Sequence, residues 1–184
     1  MVRKNMNALK TFRPALAALI FVGLSGGAYS AQSEWVKPQQ LIVDKSLSRT
    51  QLTTNEAVAR EYATFWNTGK ESLARDALAA NFIDKTPPEG RKQGPEGAIL
   101  ASRAFRTAVP DLRCEVEQMI ISGDRVVSHL HFYGTFTGTF GKLKGKGQKI
   151  DFIATDIYEI REGKIAANWH IEDNLTLMKQ LGAL

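Results

Sequence analysis

The sequence contains one cysteine, Cys114, and three histidines among its 184 residues. A single cysteine cannot form a disulfide within the chain, even in an oxidising compartment. His129 and His131 share one face of a predicted strand, whereas His170 lies on another strand, so we expect no zinc site. After residue 30 the chain also lacks the Gly-x-Ser-x-Gly pattern of the serine hydrolase elbow, and nowhere does it contain the Gly-Lys-Ser/Thr of phosphate-binding loops. The sequence therefore predicts a protein without a metal site.

The chain also lacks a long apolar run. The apolar stretch at residues 15–24 is too short to span a bilayer as a helix. It follows four basic residues and precedes small residues at positions 28–30, which is the order of a secretory signal and its cleavage site. We predict that residues 1–30 are a signal peptide and that the mature protein is periplasmic or secreted, without a membrane partner. An uncleaved membrane anchor is the alternative interpretation.

The chain has little net charge once this segment is set aside. The formal charge is +5, and residues 1–30 hold four basic and no acidic residues, which leaves +1 for the rest. A nucleic-acid-binding protein needs a concentrated basic face. We therefore expect no nucleic-acid partner.

The mature chain is short enough for one domain. Residues 31–52 are mostly polar and predict an extended leader, and residues 53–184 form the domain. Thr53 and Glu56 have the spacing of a capping box, which predicts the start of the first helix. Apolar residues then recur on one helical face: Val58, Tyr62, Phe65 and Trp66.

Two more helices and a sheet follow in the pattern. We expect a short second helix, an irregular segment at residues 82–88, and a third helix that begins at Pro95. After Pro110 the sequence predicts four β-rich runs, with a hairpin turn at residues 123–124 and a Lys- and Gly-rich turn at residues 142–147. A final short helix ends at Gly182. This order predicts an α+β fold: a cone-shaped barrel of curved antiparallel sheet, packed by three N-terminal helices and closed by a short C-terminal helix.

Several short strings in this order resemble one known family. They are the segments 65–69, 108–112, 134–138 and 163–165, followed by Trp169 and Asp173. Together, over about residues 54–182, the chain resembles the SnoaL-like polyketide cyclases (ester cyclases) of the nuclear transport factor two-like superfamily. The resemblance implies an intramolecular aldol reaction without metal or cofactor, with a carboxylate at Asp173 as acid and base. Family members often carry histidine where this chain has Lys85, Phe136 and Asn168, and glutamate where it has Ala167.

Asp173 has two interpretations from the residues alone. Trp169, Ile171 and Asp173 share parity on the last strand, so Asp173 could lie at the edge of a pocket into which Trp169 points. Burial there would raise its pKa and make it a better proton acceptor. Asp173 also stands where the N-cap of the last helix belongs, and a cap would lower the pKa.

Seven residues are candidates for the pocket. His131 and Tyr133 could donate hydrogen bonds to a substrate oxygen, or could lie on a solvated or dimer-facing side of the sheet. Lys85 is a further oxygen donor, and Asp156 is a candidate second carboxylate. Tyr62, Trp66 and Trp169 are expected in the pocket wall or the core.

The function predicted from the sequence is that of an exported, homodimeric protein that binds a small apolar molecule and performs cyclase-like acid/base chemistry through Asp173. A non-catalytic binding module is one alternative, favoured by Lys85, Phe136, Ala167 and Asn168. An isomerase or epoxide-opening enzyme is another, and it would need a second carboxylate such as Asp156.

Overall fold

The computed structural model describes residues 34–184, so the predicted signal peptide lies outside the described residues. Four helices are present in this part of the chain: α1 (Arg49–Thr68), α2 (Glu71–Ala77), α3 (Pro95–Ala108) and α4 (Asn174–Leu181). Eight strands accompany them: β1 (Gln40–Val43), β2 (Leu78–Asp84), β3 (Arg113–Ser122), β4 (Arg125–Phe136), β5 (Thr139–Phe140), β6 (Leu143–Lys144), β7 (Gln148–Arg161) and β8 (Lys164–Glu172). Within residues 34–184, no helix combines the length and apolar character needed to cross a membrane.

Six strands form one curved sheet in the order β1-β3-β4-β7-β8-β2. The four central strands are antiparallel, and the edge strands β1 and β2 run parallel to their neighbours β3 and β8. The helices cover the inner face, where alternate residues such as Leu130, Phe152 and Tyr158 are buried against Tyr62 and Phe65 of α1. The predicted α+β class and cone architecture are confirmed, with a sheet that stays open at its two edges.

Helix α1 begins earlier than the capping box at Thr53 and Glu56 predicts. Ser48 is the N-cap: its hydroxyl accepts from the Gln51 backbone N–H at 3.2 Å, and the Gln51 side chain accepts from the Ser48 N–H at 3.4 Å. The same sequence signature thus occurs twice within the nine residues from Ser48 to Glu56. The earlier box starts the helix because this adds a turn whose Leu52 packs against the core, and it leaves Thr53 exposed inside the helix.

Residues 34–52, which the sequence predicts to be an extended leader, contain strand β1 and the first residues of helix α1. Strand β1 pairs in parallel with β3, from Gln40 opposite Gln118 to Val43 opposite Ile121. Ahead of β1, the Val36 N–H donates to Thr64 of α1 at 2.9 Å. The four residues of β1 are largely exposed, so backbone pairing holds this strand, and a hydrophobicity pattern does not reveal it.

The irregular segment expected at residues 82–88 begins as strand β2. This strand follows α2 without a break and pairs in parallel with β8, where Ile83 lies opposite Ala167. A register irregularity separates this pairing from that of Leu78. The strand was missed because its pairing partner is about 80 residues away in sequence, and a parallel pair has no local turn to announce it.

A β-bulge in β8 determines which of its residues face the helices. Ile165 lies opposite Ile160, but Ala167 lies opposite Glu159, so β8 holds one more residue than β7 across this interval. Ile165 faces the core before the bulge, whereas Asn168, His170 and Glu172 face inward after it. Trp169 and Ile171 therefore point to the outer face.

The position of the α1 cap can be tested with two matched substitutions. Ser48→Ala removes the capping hydroxyl, so we expect the free energy of unfolding to fall by about 1 kcal/mol in urea denaturation. Thr53→Ala replaces an exposed residue in the helix interior and should leave that free energy unchanged or slightly higher. A larger loss for Thr53→Ala than for Ser48→Ala would contradict the assignment.

Candidate functional site

A cavity of about 370 Å³ lies between the inner face of the sheet and the helices. Most of its wall is apolar and aromatic: Tyr62, Trp66, Phe82, Phe105, Phe132, Phe140, Phe152, Leu177 and Met178 line it. The rings brace one another, because Phe132 stacks on Phe152 at 5.3 Å and Phe105 meets Phe152 edge-on at 6.0 Å. Such a wall suits a small apolar ligand.

One end of the cavity is polar, and Asp156 on β7 is its centre. This carboxylate is only 2% exposed and accepts three hydrogen bonds. Tyr158 donates to one oxygen at 2.9 Å, while the Asn168 amide at 2.7 Å and His170 Nδ1 at 2.8 Å donate to the other. A buried carboxylate requires such donors, since it is otherwise costly to desolvate.

The partners of His170 define its protonation. An ionised carboxylate only accepts hydrogen bonds, so Nδ1 carries a proton and points it at Asp156. The other nitrogen, Nε2, lies 3.3 Å from Glu172 Oε2. Burial by itself would lower the pKa of His170, but the hydrogen bonds and charges of Asp156 and Glu172 outweigh it and raise the pKa to about 10. His170 is therefore a cation near neutral pH.

The segment after β2 holds His170 in place and forms the rim of the cavity. The Thr86 hydroxyl accepts from the His170 N–H at 2.8 Å and donates to the His170 carbonyl at 2.9 Å. Asp84, which is buried on the cavity wall, pairs with Arg91 at 3.3 Å. The Thr86 hydroxyl thus makes both hydrogen bonds to the His170 backbone that the backbone of a neighbouring strand would otherwise make.

Three of the seven predicted pocket residues meet in this cavity. Tyr62 and Trp66 form part of the aromatic wall, and Asp156 lies at its polar end. Burial, followed by the charge of Asp156, raises the pKa of Tyr62 above its usual range, so its phenol stays protonated.

Trp169 and Lys85 lie together on the outer face. The Lys85 ammonium is 5.9 Å from the centre of the Trp169 ring, and the Arg125 guanidinium is 5.8 Å from it. These are cation–π distances. Neither Trp169 nor Lys85 lines the cavity, because the bulge in β8 turns Trp169 away from it.

His131 and Tyr133 also face outward, which agrees with the interpretation of a solvated or dimer-facing side. His131 Nε2 is 2.9 Å from an Asp151 oxygen, and the Tyr133 hydroxyl donates to Glu115 at 2.7 Å. The two residues line a shallow outer groove and not the cavity.

Asp173 is the N-cap of α4. Its two oxygens accept from the Thr176 N–H at 3.0 Å and the Thr176 hydroxyl at 2.7 Å. Hydrogen bonds from the Thr176 hydroxyl and then its N–H lower the pKa of Asp173 below the usual value. The residue is exposed and does not line the cavity, although Glu172 and Asn174 beside it do.

Sequence reasoning did not select Asn168, His170 or Glu172 as site residues. Their alternation is a usable signal, since three polar side chains two apart on a strand share one face. The sequence analysis instead expected the large apolar Trp169 to point into the pocket, which would place Asn168, His170 and Glu172 on the other face of the strand. Within residues 34–184, no group of three His, Cys, Asp or Glu side chains has an arrangement that could hold a metal ion.

The charge of His170 makes a prediction for stability. Its folded pKa of about 10 lies above the ordinary value of 6.5, so the proton is held more tightly in the folded state. The stabilisation is therefore complete below pH 6.5 and is lost as the pH rises towards 10, at no more than about 1.4 kcal/mol per pH unit. His170→Gln should lower the free energy of unfolding most at the acidic end of this window. A pH-independent difference between wild type and variant in urea denaturation would contradict the ion pair.

Known proteins share both the sequence pattern and the fold. The family model described as SnoaL-like polyketide cyclase matches residues 56–181. No curated protein matches the chain significantly. Among solved structures, a candidate polyketide cyclase from Bacillus cereus ATCC 10987 is 42% identical, with a TM-score of 0.75 over 82% of this chain and 95% of that one.

Two further structures are more distant. TsrD from Streptomyces laurentii is 25% identical, with a TM-score of 0.65 over 76% of this chain and all of that one. IdmH from Streptomyces antibioticus, a candidate polyketide cyclase, is 22% identical, with a TM-score of 0.63 over 70% of this chain and 98% of that one, and this likeness concerns the fold alone. With the cavity, the fold and the family match in agreement, the chain belongs to the SnoaL-like polyketide cyclase family.

Proposed function

We propose that this protein is a cofactor-independent acid/base enzyme that binds a small apolar carbonyl compound and promotes an intramolecular aldol-type cyclisation. The observation that carries the proposal is the buried Asp156–His170 pair at the polar end of an aromatic cavity. Enolate chemistry needs a proton acceptor and an oxygen donor in a place with little water. The cavity holds groups of both kinds.

Each group has a role that follows from its hydrogen bonds. His170 is a cation whose Nδ1–H is held by Asp156, so its Nε2–H, which is 3.3 Å from Glu172, has to exchange Glu172 for the carbonyl oxygen as negative charge develops there. Glu172 is the proton acceptor, because its one side-chain hydrogen bond among the described residues is the 3.3 Å contact to His170. Asp156 already accepts three hydrogen bonds, so its role is to orient and charge His170.

The reaction is balanced within the substrate. Glu172 takes the proton from the carbon beside one carbonyl, and the resulting enolate carbon forms a bond to a second carbonyl carbon. The alkoxide formed there receives the proton back from the His170–Glu172 pair. No redox partner and no second substrate are required.

Asp173 remains the competing assignment for the acid/base residue. Its capping hydrogen bonds and lowered pKa favour a structural role, because an exposed and stabilised carboxylate is a weak base. In the proposal Asp173 orients α4, whose Leu177 and Met178 line the cavity.

A non-catalytic binding module is the second candidate. The hydrogen bonds of Asp156 favour this candidate, since a carboxylate that already accepts from three protein donors does not require a bond to a substrate. The test for chemistry therefore has to detect proton transfer and not binding alone.

Deuterium uptake by 2-tetralone, an enolisable bicyclic ketone, provides that test. In mildly acidic D2O, the wild type should accelerate exchange at the carbon beside the carbonyl, as measured by proton NMR. Glu172→Gln should reduce the acceleration at least about 100-fold, because it removes the base.

Asp173→Asn is the matched control, because asparagine caps a helix nearly as well as aspartate. It should exchange at the wild-type rate. If Asp173→Asn abolished exchange and Glu172→Gln did not, the base would be Asp173. If the wild type bound tetralone without accelerating exchange, the binding module would be the better account.

We also propose that the protein is exported, because of its N-terminal sequence pattern. We further propose that it acts as a homodimer. Support for pairing comes from the outer sheet face, where Ile153, Ile157 and Ile171 are 43%, 40% and 73% exposed. A second copy can cover the same face by two-fold symmetry.

One measurement tests both statements. The full chain is expressed in a bacterial host, and the osmotic-shock fraction is analysed by native mass spectrometry. We expect subunits that lack residues 1–30 and a complex of two subunits. Full-length subunits in the membrane fraction would favour the anchor, and a monomer at micromolar concentration would contradict the dimer.

A further inference from the structure

The Tyr62 hydroxyl is a hydrogen-bond donor on the cavity wall whose proton has no acceptor within residues 34–184. Tyr62 is 3% exposed and lines the cavity. No hydrogen bond of standard length and angle joins its hydroxyl to another described group. The Trp66 indole lies beside its oxygen, but an indole N–H can only donate, so it leaves the tyrosine proton unused.

This hydroxyl opens onto the cavity. Among the described residues, the side-chain polar atoms that are enclosed and have no partner are Arg106 Nε, Arg125 Nη1, Ser128 Oγ and Asn168 Oδ1. The Tyr62 oxygen is not one of them although it has no standard hydrogen bond, so it retains accessible surface. Because the rest of the residue is enclosed, this surface belongs to the cavity that Tyr62 lines. A ligand in the cavity can therefore reach the donor.

Tyr62 lies at the polar end of the cavity. Its ring meets the Tyr158 ring edge-on at 5.8 Å, and the Tyr158 hydroxyl donates to Asp156 at 2.9 Å. Burial, followed by the charge of Asp156, raises the pKa of Tyr62, so the phenol is close enough to this carboxylate to be affected by its charge. Asp156 already accepts from three other donors, which leaves the Tyr62 proton available to a ligand.

A donor that has no bond to break is well suited to stabilise an enolate. Hydrogen-bond donors contribute most to catalysis when they already point to the place where negative charge develops. The His170 Nε2–H lies 3.3 Å from Glu172 and must leave that carboxylate to reach a substrate oxygen. The Tyr62 hydroxyl has no such partner to leave.

We propose that Tyr62 is a catalytic residue whose hydroxyl donates to the carbonyl oxygen of the substrate and to the enolate oxygen formed from it. This inference rests on the proposed function, because it concerns the same cavity and the same carbonyl compound. It adds the position of the reacting oxygen, which lies between Tyr62 and His170. It also restricts the ligand, since a ring with an acceptor at this end satisfies the phenol and a hydrocarbon of equal size does not.

The first test measures binding without chemistry. It compares 2-tetralone with tetralin, the same bicycle without the carbonyl group, by equilibrium dialysis. Tyr62→Phe removes the hydroxyl and keeps the ring, so the Kd of 2-tetralone should rise about fivefold, the value of one net hydrogen bond. The Kd of tetralin should not rise.

Tyr133→Phe is the matched control. It makes the same chemical change on the outer face, where the Tyr133 hydroxyl donates to Glu115 and does not line the cavity. Both dissociation constants should therefore equal those of the wild type. The urea midpoint of Tyr62→Phe should not fall, because its hydroxyl makes no bond within the described fold. A lower midpoint with an unchanged Kd for 2-tetralone would mark Tyr62 as structural and overturn the proposal.

A spectroscopic measurement observes the hydrogen bond itself. The carbonyl carbon of 2-tetralone is labelled with ¹³C, and a hydrogen bond to the oxygen moves its resonance downfield. The resonance should lie further downfield in complexes with the wild type and Tyr133→Phe than in the complex with Tyr62→Phe. An equal position in all three complexes, or no binding of 2-tetralone by the wild type, would overturn the proposal.

Deuterium exchange separates this inference from the proposed chemistry. Tyr62→Phe should reduce the acceleration of exchange about 100-fold, as expected for one donor to a developing oxyanion. If Tyr62→Phe weakens binding and shifts the resonance but the wild type does not accelerate exchange, the proposed chemistry fails and the contact of Tyr62 with the carbonyl stands. If Tyr62→Phe accelerates exchange as the wild type does, the inference about Tyr62 alone fails.

Discussion

The interaction on which the site depends is the burial of one carboxylate, Asp156, beneath an apolar cavity. Moving an ionised carboxyl out of water costs several kcal/mol unless hydrogen bonds and an opposite charge compensate it. Tyr158, Asn168 and His170 supply that compensation together. The charge of His170, the orientation of the Asn168 amide and the direction of the Tyr158 O–H all follow from this requirement, and each would be different without Asp156.

This cluster depends in turn on the bulge in β8. His170 is opposite Asp156 in the register of β7 and β8, and the extra residue between Ile165 and Ala167 puts His170 on the inner face. Without it, Trp169 and Ile171 would face the cavity and Asp156 would lack two of its donors. One inserted residue thus exchanges an apolar strand face for a polar one, and it does so where the fold has a cavity.

The bulge also explains which parts of the site could be predicted. Helical periodicity indicated that Tyr62 faces the pocket or the core, and Asp156 was a candidate second carboxylate; both line the cavity, because nothing interrupts the side-chain repeat in α1 or β7. Parity failed in β8 because a bulge has no reliable signature in a single sequence. The capping box at Thr53 and Glu56 failed differently: the pattern was valid but occurred twice, and packing of Leu52 selected the earlier copy. Strands β1 and β2 pair in parallel with distant partners, which local patterns cannot indicate.

Two adjacent carboxylates at the end of β8, Glu172 and Asp173, have different roles because their side chains face in different directions. Glu172 ends the inward series and lines the cavity beside His170, whereas Asp173 turns outward and accepts both hydrogen bonds from Thr176. A helix cap holds a carboxylate in its charged form and takes up its lone pairs, so capping and proton transfer make opposite demands on one group. The chain meets both demands with adjacent residues. Because α4 contributes Leu177 to the cavity wall, the capping residue shapes the site without touching a ligand. Loss of the Asp173 cap should therefore alter binding through the position of α4, while loss of Glu172 alters proton transfer directly.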